Sequence, residues 1–269
     1  MNRLAVSFGA FLRVAVAHML QYRAEIALWA LWGVVSPAVL MAVWSAAAAS
    51  ASRPGSIAGR STGELMAYFF MTMIVGHMAT AWDVYEMGWL VRTGRMSPRL
   101  LKPILPIWES LADNLAYKLV TLVILIPIWT VIAVLVRPTF HTSLRDAAIA
   151  AVALLMSAAL SFVWGYCVGC AAFFLTKMDA VAELWFGFNM FFGGRLAPIG
   201  LLPWPLGHVA AVLPCRWIVA FPSELMAGQL SARDAWTGLL WQAAWLVAGI
   251  AIFRVVWGRG VRRYSAVGA

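Results

Sequence analysis

From Leu119 to Val136 the chain runs eighteen residues without a charged side chain. No other feature restricts its folding as much. About 20 apolar residues, at 1.5 Å each in a helix, match the ~30 Å hydrocarbon core of a bilayer. Arg137-Pro138 ends the run. Ile26 to Ala47, Leu65 to Ala81, Ala147 to Leu175 and Leu239 to Val256 read the same way, and Ala180 to Phe192 is a short sixth carrying Glu183 and Asn189. The expectation is an all-α integral membrane protein with six transmembrane helices. Composition agrees. Hydrophobic residues make up 63% and charged residues 12% of the 269, against about 45–50% and about 25% in soluble domains. A soluble enzyme, a disordered chain, a disulfide scaffold and a collagen-like chain are excluded. The whole of 1–269 reads as one transmembrane domain.

The net charge is +9. Its basic residues stand at the ends of apolar runs, which points to anionic lipid and to topology and away from nucleic acid. With both termini in the cytoplasm, 13 of the 20 Lys and Arg fall inside and 7 outside. That bias sets the orientation, and the clusters Arg92 to Lys102 and Arg259 to Arg263 both lie inside. Residues 1–23 do not read as a signal peptide, because Arg13 interrupts the apolar stretch. Leu4, Phe8, Phe11, Leu12, Ala15 and Met19 follow helical spacing, so this segment is expected to be an amphipathic helix in the cytoplasmic interface.

Two segments depart from a simple bundle. Within 91–108, Ser97 suits an N-cap and Pro98 a first helical position, while Pro103 ends the helix after about one turn. The product is a short basic cytoplasmic knob bearing Leu100 and Leu101; an ordinary basic inner loop fits the same residues. The second segment, 193–236, is too apolar for a solvated loop, yet Pro198, Pro203, Pro205, Pro214 and Pro222 cut it into pieces too short to span. It reads as a re-entrant helical hairpin dipping into the outer leaflet; half-helices lying flat on the membrane fit the short runs too. In the fourth span Ser157, Ser161, Gly165 and Gly169, spaced by four, form a small-residue stripe that admits a neighbouring helix.

Two motifs of catalytic chemistry are missing from the sequence: there is no G-x-x-x-x-G-K-[ST] and no H-E-x-x-H. Cys167 and Cys170 form a C-x-x-C without a second pair or a nearby His. His77 lies inside the second span, where a hydrogen bond between helices suits it. Glu183 is expected at the cytoplasmic edge, close to Asp179. The 15 Trp suit lipophilic or cationic cargo, although interfacial anchoring explains most of them.

These pieces together resemble the permeases of type-two ABC exporters. The resemblance rests on six spans, the amphipathic N-terminal helix, the knob from Gly94 to Pro103 (Gly94, Arg95, Ser97, Pro98, Arg99, Leu100, Leu101, Lys102, Pro103), and the Pro-broken segment before the last span (Pro203, Pro205, Pro214, Pro222, Glu224, Gly228). The C-terminal Gly260-Val-Arg-Arg-Tyr-Ser-Ala-Val-Gly268 resembles a bacterial subgroup, some of whose members export viologen-like cations or other drugs. The resemblance implies a plasma-membrane permease without cofactor or catalytic residue of its own. It would pair with an identical or related permease chain, and two copies of a separate ABC ATPase, holding the ATP and Mg, would drive it through the knob. An ion-coupled secondary transporter and a membrane-embedded lipid enzyme are the alternatives. Sparse acids inside the spans count against the first, and the absence of a spaced His, Asp or Arg cluster counts against the second.

Overall fold

Three serines decide where long helices begin at one end of the molecule. Ser61 and Ser143 each form a capping box, with Glu64 and Asp146 respectively, and the Ser231 side chain accepts from the Asp234 amide. Each cap satisfies helix donors that would otherwise be left without partners, a contribution of about 1 kcal/mol. In the computed structural model, which describes residues 3–51 and 55–265, most of the described residues are helical. Arg53 and the end of the Gly260–Gly268 stretch lie outside the described residues. The elements are α1 (Arg3–Gln21), α2 (Arg23–Ala49), a two-stranded hairpin of β1 (Ser56–Ile57) and β2 (Arg60–Ser61), α3 (Thr62–Met78), α4 (Asp83–Arg92), α5 (Met96–Leu100) and α6 (Ile107–Val136). There follow α7 (Leu144–Gly169, prolonged by a 3-10 turn), α8 (Met178–Phe192), α9 (Leu206–Val212), α10 (Pro214–Ile218), α11 (Ala220–Met226) and α12 (Ala232–Arg263).

Six helical stretches are long and apolar enough to cross a membrane. They are not quite the six read from sequence. Leu4–Gln21 of α1 qualifies, whereas α8, with 15 residues, does not. At 1.5 Å per residue α8 reaches only about 22 Å. Helix α1 lies along α6, with Phe8 edge-on to Trp108 and the Lys102 ammonium over the Phe11 ring. Thr62–Arg92 also qualifies, but as two helices, α3 and α4, with a break after Met78. The break frees the Thr80 carbonyl, which takes hydrogen bonds from Lys118 Nζ and Asn114 Nδ2, both at 3.0 Å. The sequence reading ends the second span at Ala81, near this break, and assigns no element to Asp83–Arg92.

Three of the five buried clusters join the long helices. Helices α2, α3 and α6 pack through Ala30, Val34, Met41, Phe69, Met73 and Leu125. Helices α3, α7, α10, α11 and α12 meet around Val75, Ala153, Leu160, Trp217 and Phe221. Near the basic end, Met87, Leu90, Met96, Tyr166 and Phe173 join α4, α5, α7 and the partly buried Phe253 and Trp257 of α12. Gly165 and Gly169 of the small-residue stripe receive α4 inside this chain. A Cβ on Gly169 would stand 3.0 Å from the Asp83 carbonyl and the Met87 side chain.

Candidate functional site

The knob from Gly94 to Pro103 is built on a left-handed turn. Gly94 has φ +73°, a conformation L side chains resist, and it brings the chain back under α4. Helix α5 begins two residues earlier than the sequence suggests, at Met96 with Arg95 before it. Ser97 therefore does not cap it; its hydroxyl shares a 2.9 Å hydrogen bond with the Tyr264 hydroxyl at the end of α12. Pro98 fits within the first turn, where its missing N–H costs nothing. Arg99 points inward, 2.9 Å from Glu86 and 3.6 Å from Glu109, with 17% of its side chain exposed. Lys102 binds Glu109 at 2.7 Å, and the Arg95 guanidinium sits 4.5 Å above the Trp89 ring. The two leucines separate. Leu100 packs on the aromatic layer at the basic end, whereas Leu101 is 86% exposed. Pro103 is exposed beside it. The result is an apolar tip on a base fixed by ion pairs and a buried Met96.

The Pro-broken segment folds as a bent pair, α9 and then the stretch of α10 and α11, which meet at 65° across Leu213. Pro214 opens α10, and Val219 (φ −125°, ψ −53°) interrupts the helix before α11. The interruption leaves carbonyls without intrahelical donors. Two buried side chains on long helices meet them. Ser157 donates to the Ile218 carbonyl, and Gln242 Nε2 donates to the Trp217 carbonyl at 2.8 Å and to the Ala153 carbonyl at 3.1 Å. Ser157 lies thirteen residues into α7 and Gln242 ten residues into α12, which puts the interruption about 15–20 Å down the bundle. The chain then returns. At Gly228 (φ +72°) it passes against His141, and the Thr142 hydroxyl donates to the Met226 carbonyl at 2.6 Å. Pro222 and Glu224 are buried on α11, and Arg216 reaches Glu224 at 3.5 Å. Pro203 and Pro205 stand exposed before α9. Gln242 was invisible to a search for spans because one amide does not lower the apolarity of a long run. Gln242→Leu should lower stability by about 1–3 kcal/mol, the cost of leaving a buried carbonyl unmatched. A fall in thermal midpoint in detergent checks this; an unchanged midpoint would mean that water serves these carbonyls.

A cavity of about 420 Å3 opens between α2, α3, α6, α7 and α8. Its walls include Trp29, Trp32, Trp82, Tyr117, Trp185 and Phe186, with Ser161 of the stripe and Asn189 at its edge and Arg195 at one side. His77 Nε2 shares a 2.9 Å hydrogen bond with the Thr121 hydroxyl, joining α3 to α6 beside the cavity. Glu183 is exposed on α8, and Asp179 pairs with Arg92 at 3.4 Å. Cys167 donates to the Gly249 carbonyl at 3.3 Å. Among the described residues no three His, Cys, Asp or Glu side chains gather as a metal-ligating group.

No curated protein matches the chain. The model of a family described as "ABC-2 family transporter protein" matches residues 50–268. That span holds the knob, the bent pair, the cavity and the last long helix, so the chain belongs to the ABC-2 family of membrane transporter proteins.

Proposed function

We propose that this chain is half of an ATP-driven exporter for lipophilic cargo. Two such halves, identical or related, form the pathway in a bacterial plasma membrane, with both termini in the cytoplasm. Two copies of a separate ATPase, carrying the ATP and Mg, work beneath the basic end. The observation that carries this reading is the knob: an exposed leucine on a base tied to α4, α6 and α12 through Glu86, Glu109 and Tyr264. Such a tip suits a cleft on another protein. The base then passes displacement to the long helices, because Met96 is fully buried among their aromatic side chains. Closure of an ATPase dimer would shift the paired halves between two packings. The bent pair would be the re-entrant hairpin, with its polar backbone covered by protein as a bilayer demands.

The full-length chain expressed with its own ATPase should co-purify with it, and cargo movement in reconstituted vesicles should require both proteins and ATP. Transport by the chain alone on an ion gradient would overturn the proposal.

A further inference from the structure

The turn between α8 and the bent pair is held from three sides. The Tyr68 hydroxyl donates to the Gly194 carbonyl at 2.7 Å, and Trp44 Nε1 donates to the Leu196 carbonyl at 2.9 Å. Gly194 itself has φ +75°, and a Cβ there would stand 2.5 Å from the Tyr68 hydroxyl and 2.8 Å from the Ala220 Cβ. Only glycine fits, and the turn directs Arg195 back against α3. A Cβ on Gly76 would lie 2.7 Å from Arg195 Nη1, so the absent side chain at Gly76 makes room for the guanidinium at the side of the aromatic cavity. Among the described residues Arg195 forms no ion pair with a carboxylate. Arg195 is half-buried; a guanidinium held without a counter-ion at membrane depth is costly to keep, and intramembrane charges of this kind mark pathways.

We infer that this cavity binds lipophilic anions, with the aromatic walls taking the apolar body and Arg195 the negative group. The walls alone would accept a lipophilic cation through their ring faces; the unpaired guanidinium reverses that preference by like-charge repulsion. Beyond the Tyr68–Gly194 contact, a second space of about 440 Å3 repeats the sign, with Arg60 and Arg216 lining it against one carboxylate, Glu224. A negative group leaving Arg195 therefore meets positive charge again. Calling the anion the cargo rests on the exporter reading; the binding does not.

The test uses two probes of equal shape and opposite charge, tetraphenylborate and tetraphenylphosphonium. Equilibrium binding is measured to the full chain in nanodiscs of zwitterionic lipid, with empty nanodiscs subtracted. Tetraphenylborate should bind roughly tenfold or more tighter than its cationic twin, because attraction to the guanidinium replaces repulsion from it at the same distance. Arg195→Gln should remove that preference and Arg195→Lys should keep most of it. Equal affinities in the unaltered chain, or an unchanged preference in Arg195→Gln, would overturn the proposal. If Arg195→Gln fails to fold, the unaltered chain and Arg195→Lys still decide. Nanodiscs containing phosphatidylglycerol separate cargo from bilayer lipid: binding referred to free probe should persist, and its loss would make a lipid the occupant and overturn the cargo assignment. No ATPase enters these measurements, so their failure is distinct from a failure of co-purification.

Discussion

A chain carrying Leu101→Asp should insert and fold like the unaltered chain and lose its ATPase. Leu101 is 86% exposed, so a carboxylate there disturbs nothing within the chain. Against a partner's cleft the same change removes about 1.5–3 kcal/mol of apolar burial per knob and adds a charge to be desolvated. With two knobs in an assembly, affinity should fall by about a hundredfold or more. Leu100 is the contrasting position. It packs on the layer formed by Met96, Tyr166 and Phe173, so Leu100→Asp should damage the fold itself and say little about docking. The charges divide likewise. Arg99 is committed to Glu86 and Glu109, while Arg95 and Lys102 keep part of their charge toward solvent and can steer a partner's approach. Pull-down of the ATPase, read beside the thermal midpoint, separates the cases. Normal association of Leu101→Asp would remove the knob from the docking role.

The spans were legible because their signal is long and additive: eighteen uncharged residues from Leu119 to Val136 leave little else for that stretch to be. A short helix ahead of Pro103 was legible from Gly94, Pro98 and Pro103, residues whose backbone preferences act locally. What escaped depended on distant partners. Ser97 has the chemistry of a cap, yet it binds Tyr264, 167 residues away. Ser157 looked like a small residue for close packing, and Gly165 and Gly169 do serve that way; Ser157 instead donates to a carbonyl exposed by a helix break in another segment. In the sequence Arg195 counts only as one of the seven basic residues on the outer side. Its direction depends on a left-handed glycine and on space left at Gly76, neither of which sequence periodicity reports.

Gly238→Leu should be among the most damaging single changes in the chain. A Cβ at this position would overlap the Phe221 ring of α11. Overpacking typically costs about 1–3 kcal/mol when neighbours can yield. Here the ring has little room to yield. Phe221 is 1% exposed, lies 5.5 Å from the Trp217 ring, and Trp217 is stacked on Trp241 at 5.7 Å with an interplanar angle of 9°. Trp241 belongs to α12 as Gly238 does, so moving Phe221 pushes a stack anchored on the helix that caused the clash. The cost should therefore reach about 3 kcal/mol or more, with most of the chain lost to aggregation on extraction. Gly238→Ala should show the same defect in milder form, and Phe221→Leu should partly relieve it, giving a favourable coupling in the double-mutant cycle. Strict additivity of the two changes would mean that α11 and α12 do not meet at this point. The consequence reaches past stability. Helix α11 carries Glu224, the partner of Arg216, and leads to the Gly228 turn that ties the bent pair to the α6–α7 connection. Loosening its seat should therefore impair transport before the long helices separate, and ATPase association at the far end should survive in the fraction that remains folded.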